Sequence, residues 1–88
     1  MAEVFIPALL RRLTNGAERV TVPGASLRQI ISNLGQRYPG FKEEILDEDG
    51  QIKPGIAVAI DGETTHMGLL EPVRENSEIH FIPAIGGG

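Results

Sequence analysis

The sequence predicts an α+β fold in which a mixed sheet of four to five strands packs on one main helix. Three observations support this prediction: a capped amphipathic helix near residue 27, strand-like segments on both sides of it, and a last strand without a hairpin partner. A chain of 88 residues is long enough for one small domain with a single modest core.

Two strands are predicted before the helix. Residues 4–6 are strand-favouring, and Pro7 ends this strand because proline cannot donate a ladder hydrogen bond. Residues 19–22 alternate in polarity, as a half-buried strand does. Asn15-Gly16 between the two segments is a strong turn signal. We therefore expect a loose hairpin.

The helix is predicted from a capping box and an apolar stripe. Ser26 and Gln29 have the spacing at which the serine oxygen accepts from a free amide and the glutamine side chain reaches back. Apolar residues recur at helical spacing on one face: Leu27, Ile30, Ile31, Leu34 and Tyr38. Pro39-Gly40 then stops the helix.

The second half of the chain contains a further helical turn, three strands and an irregular segment. In order, these are a turn at 41–46, a strand at 56–60, the hairpin turn Asp61-Gly62, a short strand at 63–65, an irregular segment at 67–73 with Leu69 and Leu70 at the core edge, and a last strand at 78–82.

The unpaired last strand decides the topology. To complete a small sheet over one helix, it has to lie centrally, beside the first strand and parallel to it if the helix supplies the crossover. This arrangement is the β-grasp, or ubiquitin-like, roll. We expect residues 1–83 to form the β-grasp domain and residues 84–88 a flexible glycine-rich tail, because glycine loses the most conformational freedom on ordering. Extended, the tail reaches at most roughly 17 Å.

The composition argues against several classes of function. The absence of cysteine removes disulfides, thiolate catalysis and cysteine-ligated metal sites. A net charge of −4 argues against general nucleic-acid binding. No apolar run is long enough to span a bilayer, and the first residues lack the features of a secretion signal. We therefore expect a cytoplasmic protein with neither nucleic acid nor membrane as a partner.

The side chains do not form a recognisable catalytic set. His66 and His80 have no clustered acids or cysteines beside them in the sequence, so we expect no metal site. Ser26 is used as a helix cap and Ser32 faces water, which leaves no credible Ser-His-acid combination.

Partner-docking residues are expected on the sheet face that the helix leaves open. Strand alternation assigns the following residues to this face: Ile6, Thr64, His80 and Ile82. It points another set towards the core: Phe5, Val58, Ile79 and Phe81. Arg11 belongs to a small basic group near the first hairpin, with Arg12 and Arg19, which is either solvated or a contact to an acidic partner.

The end of the chain carries the most specific resemblance. Residues 79–88 read Ile-His-Phe-Ile-Pro-Ala-Ile-Gly-Gly-Gly. With the predicted element order, this ending resembles the ubiquitin-like sulfur carriers of molybdopterin and thiamine biosynthesis, which end in Gly-Gly. Residues 60–63 and the spacing of Leu70, Val73 and Glu78 also resemble that family.

The start of the chain points to one branch of this family. Residues 6–10, followed by Asn15-Gly16, resemble the carriers that donate sulfur for cysteine synthesis. Gly86 departs from the family pattern, which usually has a small residue such as Ala or Ser there, while the terminal pair Gly87-Gly88 is intact.

The resemblance implies a carrier protein and not an enzyme. An ATP-dependent, ubiquitin-activating-like adenylyltransferase would adenylate the Gly88 carboxylate, and a sulfur donor would convert it to a thiocarboxylate, with Gly86 and Gly87 forming the narrow end of the tail. No permanently bound cofactor is implied, only these transient covalent forms. The sulfur would pass to a cysteine synthase-like enzyme, the large subunit of molybdopterin synthase or thiazole synthase.

Two alternatives remain open at this level. Besides a sulfur carrier, the sequence allows a ubiquitin-like modifier that forms isopeptide bonds through Gly88, and a plain β-grasp interaction module whose glycines are incidental. The final acceptor separates a carrier from a modifier, and deletion of the tail separates both from the module.

Overall fold

The structure is a computed structural model that describes residues 1–65 and 67–83, with only the backbone of Pro83. These described residues form five strands, two α-helices and two 3₁₀ segments. In chain order they are β1 (Ala2–Phe5), a first 3₁₀ helix (Ala8–Thr14), β2 (Arg19–Val22), α1 (Leu27–Arg37), α2 (Phe41–Ile45), β3 (Ile56–Ile60), β4 (Glu63–Thr64), a second 3₁₀ segment (Gly68–Leu70) and β5 (Glu78–Pro83).

The strands form one mixed sheet in the order β2-β1-β5-β3-β4. β1 and β5 are parallel neighbours, whereas the other three pairings are antiparallel. The last strand therefore lies at the centre of the sheet, beside the first, as the sequence predicts. The predicted α+β class and β-grasp roll are confirmed.

Helix α1 covers one face of this sheet. Its cap forms at the predicted residues: the Ser26 hydroxyl oxygen accepts from the Gln29 amide at 3.3 Å, and the Gln29 side-chain oxygen reaches back to the amide of Ala25, one residue before the N-cap, at 2.8 Å. Its four inward residues are fully buried: Leu27, Ile30, Ile31 and Leu34. They pack with the inner face of the sheet and with α2 into one hydrophobic core, whose apolar burial stabilises the fold.

The orientation predicted for the side chains of the first strand is wrong. Ile6 is only 2% exposed and belongs to the core with Val4, whereas Phe5 is half-buried and lies on the opposite face. Side chains alternate between the two faces of a sheet. An assignment that begins one residue too early or too late therefore places every side chain of the strand on the wrong face. The sequence prediction pointed Phe5 inward, but β1 begins at the buried Ala2 and its even-numbered residues point to the core. Ile6 is therefore not available for docking.

Two further expectations need correction. The connection between β1 and β2 is a seven-residue 3₁₀ helix, so the hairpin is looser than predicted. Its Leu10 and Leu13 pack against the core, and this burial holds the segment in place. In the second 3₁₀ segment Leu69 is buried, but Leu70 is 67% exposed and does not contribute to the core edge. No helix in the described part of the chain is both long enough and apolar enough to cross a membrane.

Candidate functional site

The tail follows directly from the central strand of the sheet. β5 pairs with β1 on one side and β3 on the other, and its last residue, Pro83, pairs with Ile56. Ile79 and Phe81 of β5 are buried in the core. The segment that precedes the tail is therefore held by hydrogen bonds on both sides and by the core beneath it. The predicted reactive residues Gly86, Gly87 and Gly88 lie outside the described residues.

The turn before β4 fixes the start of β5. Asp61 lies in the left-handed region (φ 54°), and its carboxylate accepts hydrogen bonds from the Glu78 amide at 2.9 Å and the Ser77 hydroxyl at 2.8 Å. These hydrogen bonds, the Glu78 amide above all, lower the pKa of Asp61, and the nearby Arg74 acts in the same direction. The Asp61 turn thus holds the start of β5 in place, at the end of the sheet opposite Pro83.

The strand register arranges the outer face of the sheet in rows. The middle row crosses all five strands: Arg19, Phe5, His80, Ala59 and Thr64. Within it the Phe5 and His80 rings stack with centroids 4.2 Å apart and planes 6° from parallel. Because Ala59 beside them is small, the stacked rings are not covered by a neighbouring side chain on that strand.

The outer face becomes more apolar towards the tail. The row nearest the tail pairs Ile82 with Ala57, and Ile82 is 48% exposed. The row on the other side contains Thr21, Glu3 and Glu78. Ile82 and the adjacent row with the Phe5–His80 rings together form an exposed apolar and aromatic patch, as interaction surfaces do.

The polar and charged side chains on this face are only loosely paired. The Arg19 Nε lies 3.9 Å from the Glu3 carboxylate, and the His80 Nε2 lies 3.9 Å from the Glu78 carboxylate. Exposed pairs at this distance contribute little to stability. They can therefore be exchanged for a partner's charges at small cost.

Three of the five predicted docking residues share the outer face: Thr64, His80 and Ile82. Ile6 is in the core, as described above. Arg11 is half-buried and its Nε donates to the Ile6 carbonyl at 3.1 Å, so it braces the first 3₁₀ helix. Sequence reasoning missed Phe5. Extending the alternation back to the small, apolar Ala2 would have placed it on the outer face.

The predicted basic group does not form a free cationic cluster. Arg12 lies 3.4 Å from the Glu44 carboxylate, and Arg19 is near Glu3. Within residues 1–65 and 67–83, no group of three or more His, Cys, Asp or Glu side chains is arranged to hold a metal ion. His66, the other histidine considered for metal binding, is outside the described residues.

A model of the ThiS family matches residues 4–88, nearly the whole chain. The chain belongs to the ThiS family. The match begins within β1 and includes the other four strands, α1 and the residues that follow Pro83, so the family relationship covers both the domain and the tail.

Known members and solved structures agree with this assignment. The sulfur carrier protein CysO of Mycobacterium tuberculosis (strain ATCC 25618 / H37Rv) is 28% identical over 89 residues, which cover 97% of this chain and 96% of CysO. A chain in the crystal structure of the Amycolatopsis orientalis BexX/CysO complex has a TM-score of 0.92 and 29% identity, with full coverage of both chains. SAMP1 from Haloferax volcanii, a small archaeal modifier protein, has a TM-score of 0.77 and 26% identity, with 99% of this chain and 98% of SAMP1 covered.

These relationships make this ThiS-family chain a sulfur carrier protein of the ubiquitin-like type, close to the CysO branch. Its relatives are small carriers and not enzymes, which agrees with the sequence prediction. The resemblance of residues 6–10 to the branch that serves cysteine synthesis is consistent with the CysO match.

Proposed function

We propose that this ThiS-family chain carries sulfur as a thiocarboxylate on Gly88. The observation that supports this best is the attachment of the glycine-rich tail to β5, the strand held on both sides at the centre of the sheet. The reactive group follows a run of three glycines, which have no side chains, and this is suited to delivery into the active sites of successive enzymes.

The proposed chemistry has two steps. A terminal carboxyl group is an anion at neutral pH and a poor electrophile. An oxygen of the Gly88 carboxylate attacks the α-phosphorus of ATP and expels pyrophosphate, giving an acyl-adenylate. Sulfide then attacks the acyl carbon, AMP leaves with the bonding electron pair, and the thiocarboxylate remains. Both steps use the active sites of other enzymes, so the chain needs no catalytic side chains of its own.

The adenylating enzyme is proposed to bind the outer face of the sheet. Ile82 and Ala57 form the apolar row nearest the tail, and the Phe5–His80 stack lies behind them. Aromatic and aliphatic anchors of this kind carry most of the binding energy at protein interfaces. Thr64 lies at the edge of the same face, in β4.

The proposed sulfur acceptor is a cysteine synthase-like enzyme. The resemblance of residues 6–10 to the cysteine-synthesis branch and the match to CysO favour this acceptor over the molybdopterin synthase large subunit and thiazole synthase. The thiocarboxylate sulfur is a strong nucleophile, and delivery inside a closed site protects it from hydrolysis.

The mass of the intact protein tests the first two steps. The chain is incubated with ATP, sulfide and the purified adenylating enzyme of the same organism. We expect a mass increase equal to the replacement of one oxygen by sulfur, and its loss when Gly88 is removed. The activity of the enzyme is verified with a second carrier protein that it is known to convert to a thiocarboxylate. An unchanged mass of this chain under the same conditions would contradict the proposal. Addition of each acceptor enzyme in turn then shows which one removes the sulfur.

A second candidate function is protein conjugation. The similarity to SAMP1, a small archaeal modifier protein, favours it. The same adenylate would then react with a lysine amine, and the product would be an isopeptide at Gly88. Mass spectrometry of tryptic, lysine-containing peptides that carry residues 75–88, the segment left after cleavage at Arg74, distinguishes this outcome from sulfur transfer.

A further inference from the structure

The first 3₁₀ helix lies at the end of the sheet from which the tail leaves. β1 and β5 are parallel neighbours, so Phe5 and Pro83, their last residues, lie at the same end of the sheet. Ile56, which pairs with Pro83, lies together with Pro7, Leu9 and Leu10 around one groove. The groove is thus next to the root of the tail.

The helix turns one apolar side chain away from the core. Residues three apart share a face of a 3₁₀ helix, so Leu10 and Leu13 point inward together while Leu9 and Arg12 point outward. Leu9 is 77% exposed, the most exposed of the large apolar residues in the described part of the chain. The Leu9 side chain adds nothing to the core, so packing does not explain why this position has a large apolar residue.

The residues around the groove are suited to contact with an apolar side chain. We call it the tail-end groove; its volume is about 370 Å³, and it is lined by Pro7, Leu9, Leu10, Arg12, Glu44 and Ile56. Arg12 and Glu44 are its two charged residues, and they face each other at 3.4 Å. Since these opposite charges compensate each other, the groove offers neither a cation nor an anion to a charged ligand, whereas four apolar residues offer contact to an aliphatic or aromatic side chain.

The length of the tail limits how far a partner can be from this groove. The five residues after Pro83 span at most roughly 17 Å when extended. An enzyme that acts on Gly88 must therefore bring the rim of its active site against the end of the domain at which β5 stops. The tail-end groove is at that end, so it falls within the area that such an enzyme contacts.

We propose that the tail-end groove receives an apolar side chain from the rim of the adenylating enzyme's active site, with Leu9 as the central contact. This inference rests on the proposed function, since it concerns the enzyme that activates Gly88. It adds a second contact area to the outer face of the sheet and gives the first 3₁₀ helix a role in aligning the tail with the active site.

Leu9→Asp tests this proposal with a matched control. Leu70→Asp introduces the same charge at a leucine of similar exposure, in the second 3₁₀ segment beside α1 and away from the tail. Binding of each variant to the purified adenylating enzyme is titrated, and ATP–pyrophosphate exchange is measured at saturating carrier. We expect Leu9→Asp to weaken binding by about tenfold or more, and Leu9→Met and Leu70→Asp to bind like the unmodified chain.

Equal binding by Leu9→Asp and Leu70→Asp would overturn the inference. Thermal denaturation of both variants verifies that they are folded, and a photo-crosslinking amino acid at position 9 supplies a readout independent of stability. We expect it to crosslink to the adenylating enzyme, whereas the same group at position 70 does not. If no pyrophosphate exchange occurs with the unmodified chain, the proposed function fails, while the binding titration still decides the role of the groove.

Discussion

Asp61 shows how one residue links a tight turn to the position of the central strand. A residue at positive φ in a two-residue hairpin turn is usually Gly, Asn or Asp, and here Asp61 is followed by Gly62 at φ 87°. Its carboxylate also holds the Glu78 amide and the Ser77 hydroxyl. The start of β5 is therefore fixed by a side chain that lies 17 residues earlier in the chain.

We predict that Asp61→Asn destabilises the protein at neutral pH and that the difference shrinks in acid. Asparagine preserves the turn but loses the charge that strengthens both hydrogen bonds. Because the folded-state pKa of Asp61 is lowered, its stabilising contribution is fully present above the ordinary aspartate pKa. It disappears as the pH falls from there through the lowered pKa. Denaturant unfolding at a series of pH values measures both free energies of unfolding.

The control for this prediction is Asp49→Asn. Within the described residues, the Asp49 carboxylate makes no hydrogen bond or ion pair, so its removal is expected to leave the free energy of unfolding nearly unchanged at every pH. A constant difference between Asp61→Asn and the unmodified protein across the acid range would show that the carboxylate charge does not act as described. Partial exposure of the Asp61 side chain keeps the expected effect modest.

At the scale of elements, the contact between α1 and α2 depends on one glycine. A Cβ atom built on Gly35 would lie 2.8 Å from the Lys42 Cβ, closer than side chains pack. The absence of that methyl group lets α2 approach α1 closely. Phe41 and Ile45 of α2 are buried as a result, and Phe41 meets Phe81 of β5 edge-on at 6.0 Å.

We predict that Gly35→Ala lowers the free energy of unfolding by about 1 kcal/mol. The substitution gains about 1 kcal/mol of helix propensity, but overpacking a close contact costs about 1–3 kcal/mol, so the clash prevails. Gln36→Ala, at an exposed position of the same helix, is the control and is expected to change stability little. Chemical denaturation compares the two. A stabilised Gly35→Ala variant would mean that α2 moves away without loss of core packing.

At the scale of the whole molecule, the domain separates its stabilising face from its two proposed binding surfaces. One face of the sheet packs on α1 and α2, and the other presents the Phe5–His80 stack and Ile82 to solvent. β5 ends at the centre of the sheet, where Ile82 lies on the outer face and Pro83 pairs with Ile56 of the tail-end groove. A partner that encloses the tail can therefore contact both surfaces at once.

We predict that Ile82→Asp abolishes adenylation and leaves the protein folded. Ile82 is half-exposed on the outer face, so the change removes little buried area but places a charge in the proposed interface, where an unpaired charge is costly. ATP–pyrophosphate exchange with the adenylating enzyme measures activation, and circular dichroism measures folding. Thr21→Asp, on the same face but in the row away from the tail, is the control. Normal activation of Ile82→Asp would remove the outer face from the proposal.

Much of this protein follows from local patterns in the sequence. The capping box, the apolar stripe of α1 and the turn signal at Asp61-Gly62 each depend on residues close together in the chain, and all three appear in the structure as predicted. The parallel pairing of β1 and β5 was also predictable, because connection rules leave few ways to arrange these elements. The glycine-rich ending and its family resemblance likewise follow from the sequence.

Only the tertiary structure decided which side chains are exposed on the outer face and around the tail-end groove. The orientation of β1 depends on where the strand begins, and a one-residue error in that position placed Ile6 on the outer face although it is buried. The stacking of Phe5 on His80 and the gathering of Pro7, Leu9, Leu10 and Ile56 beside the tail join residues that are far apart in the chain. Such contacts are set by strand register and packing, which no local pattern contains.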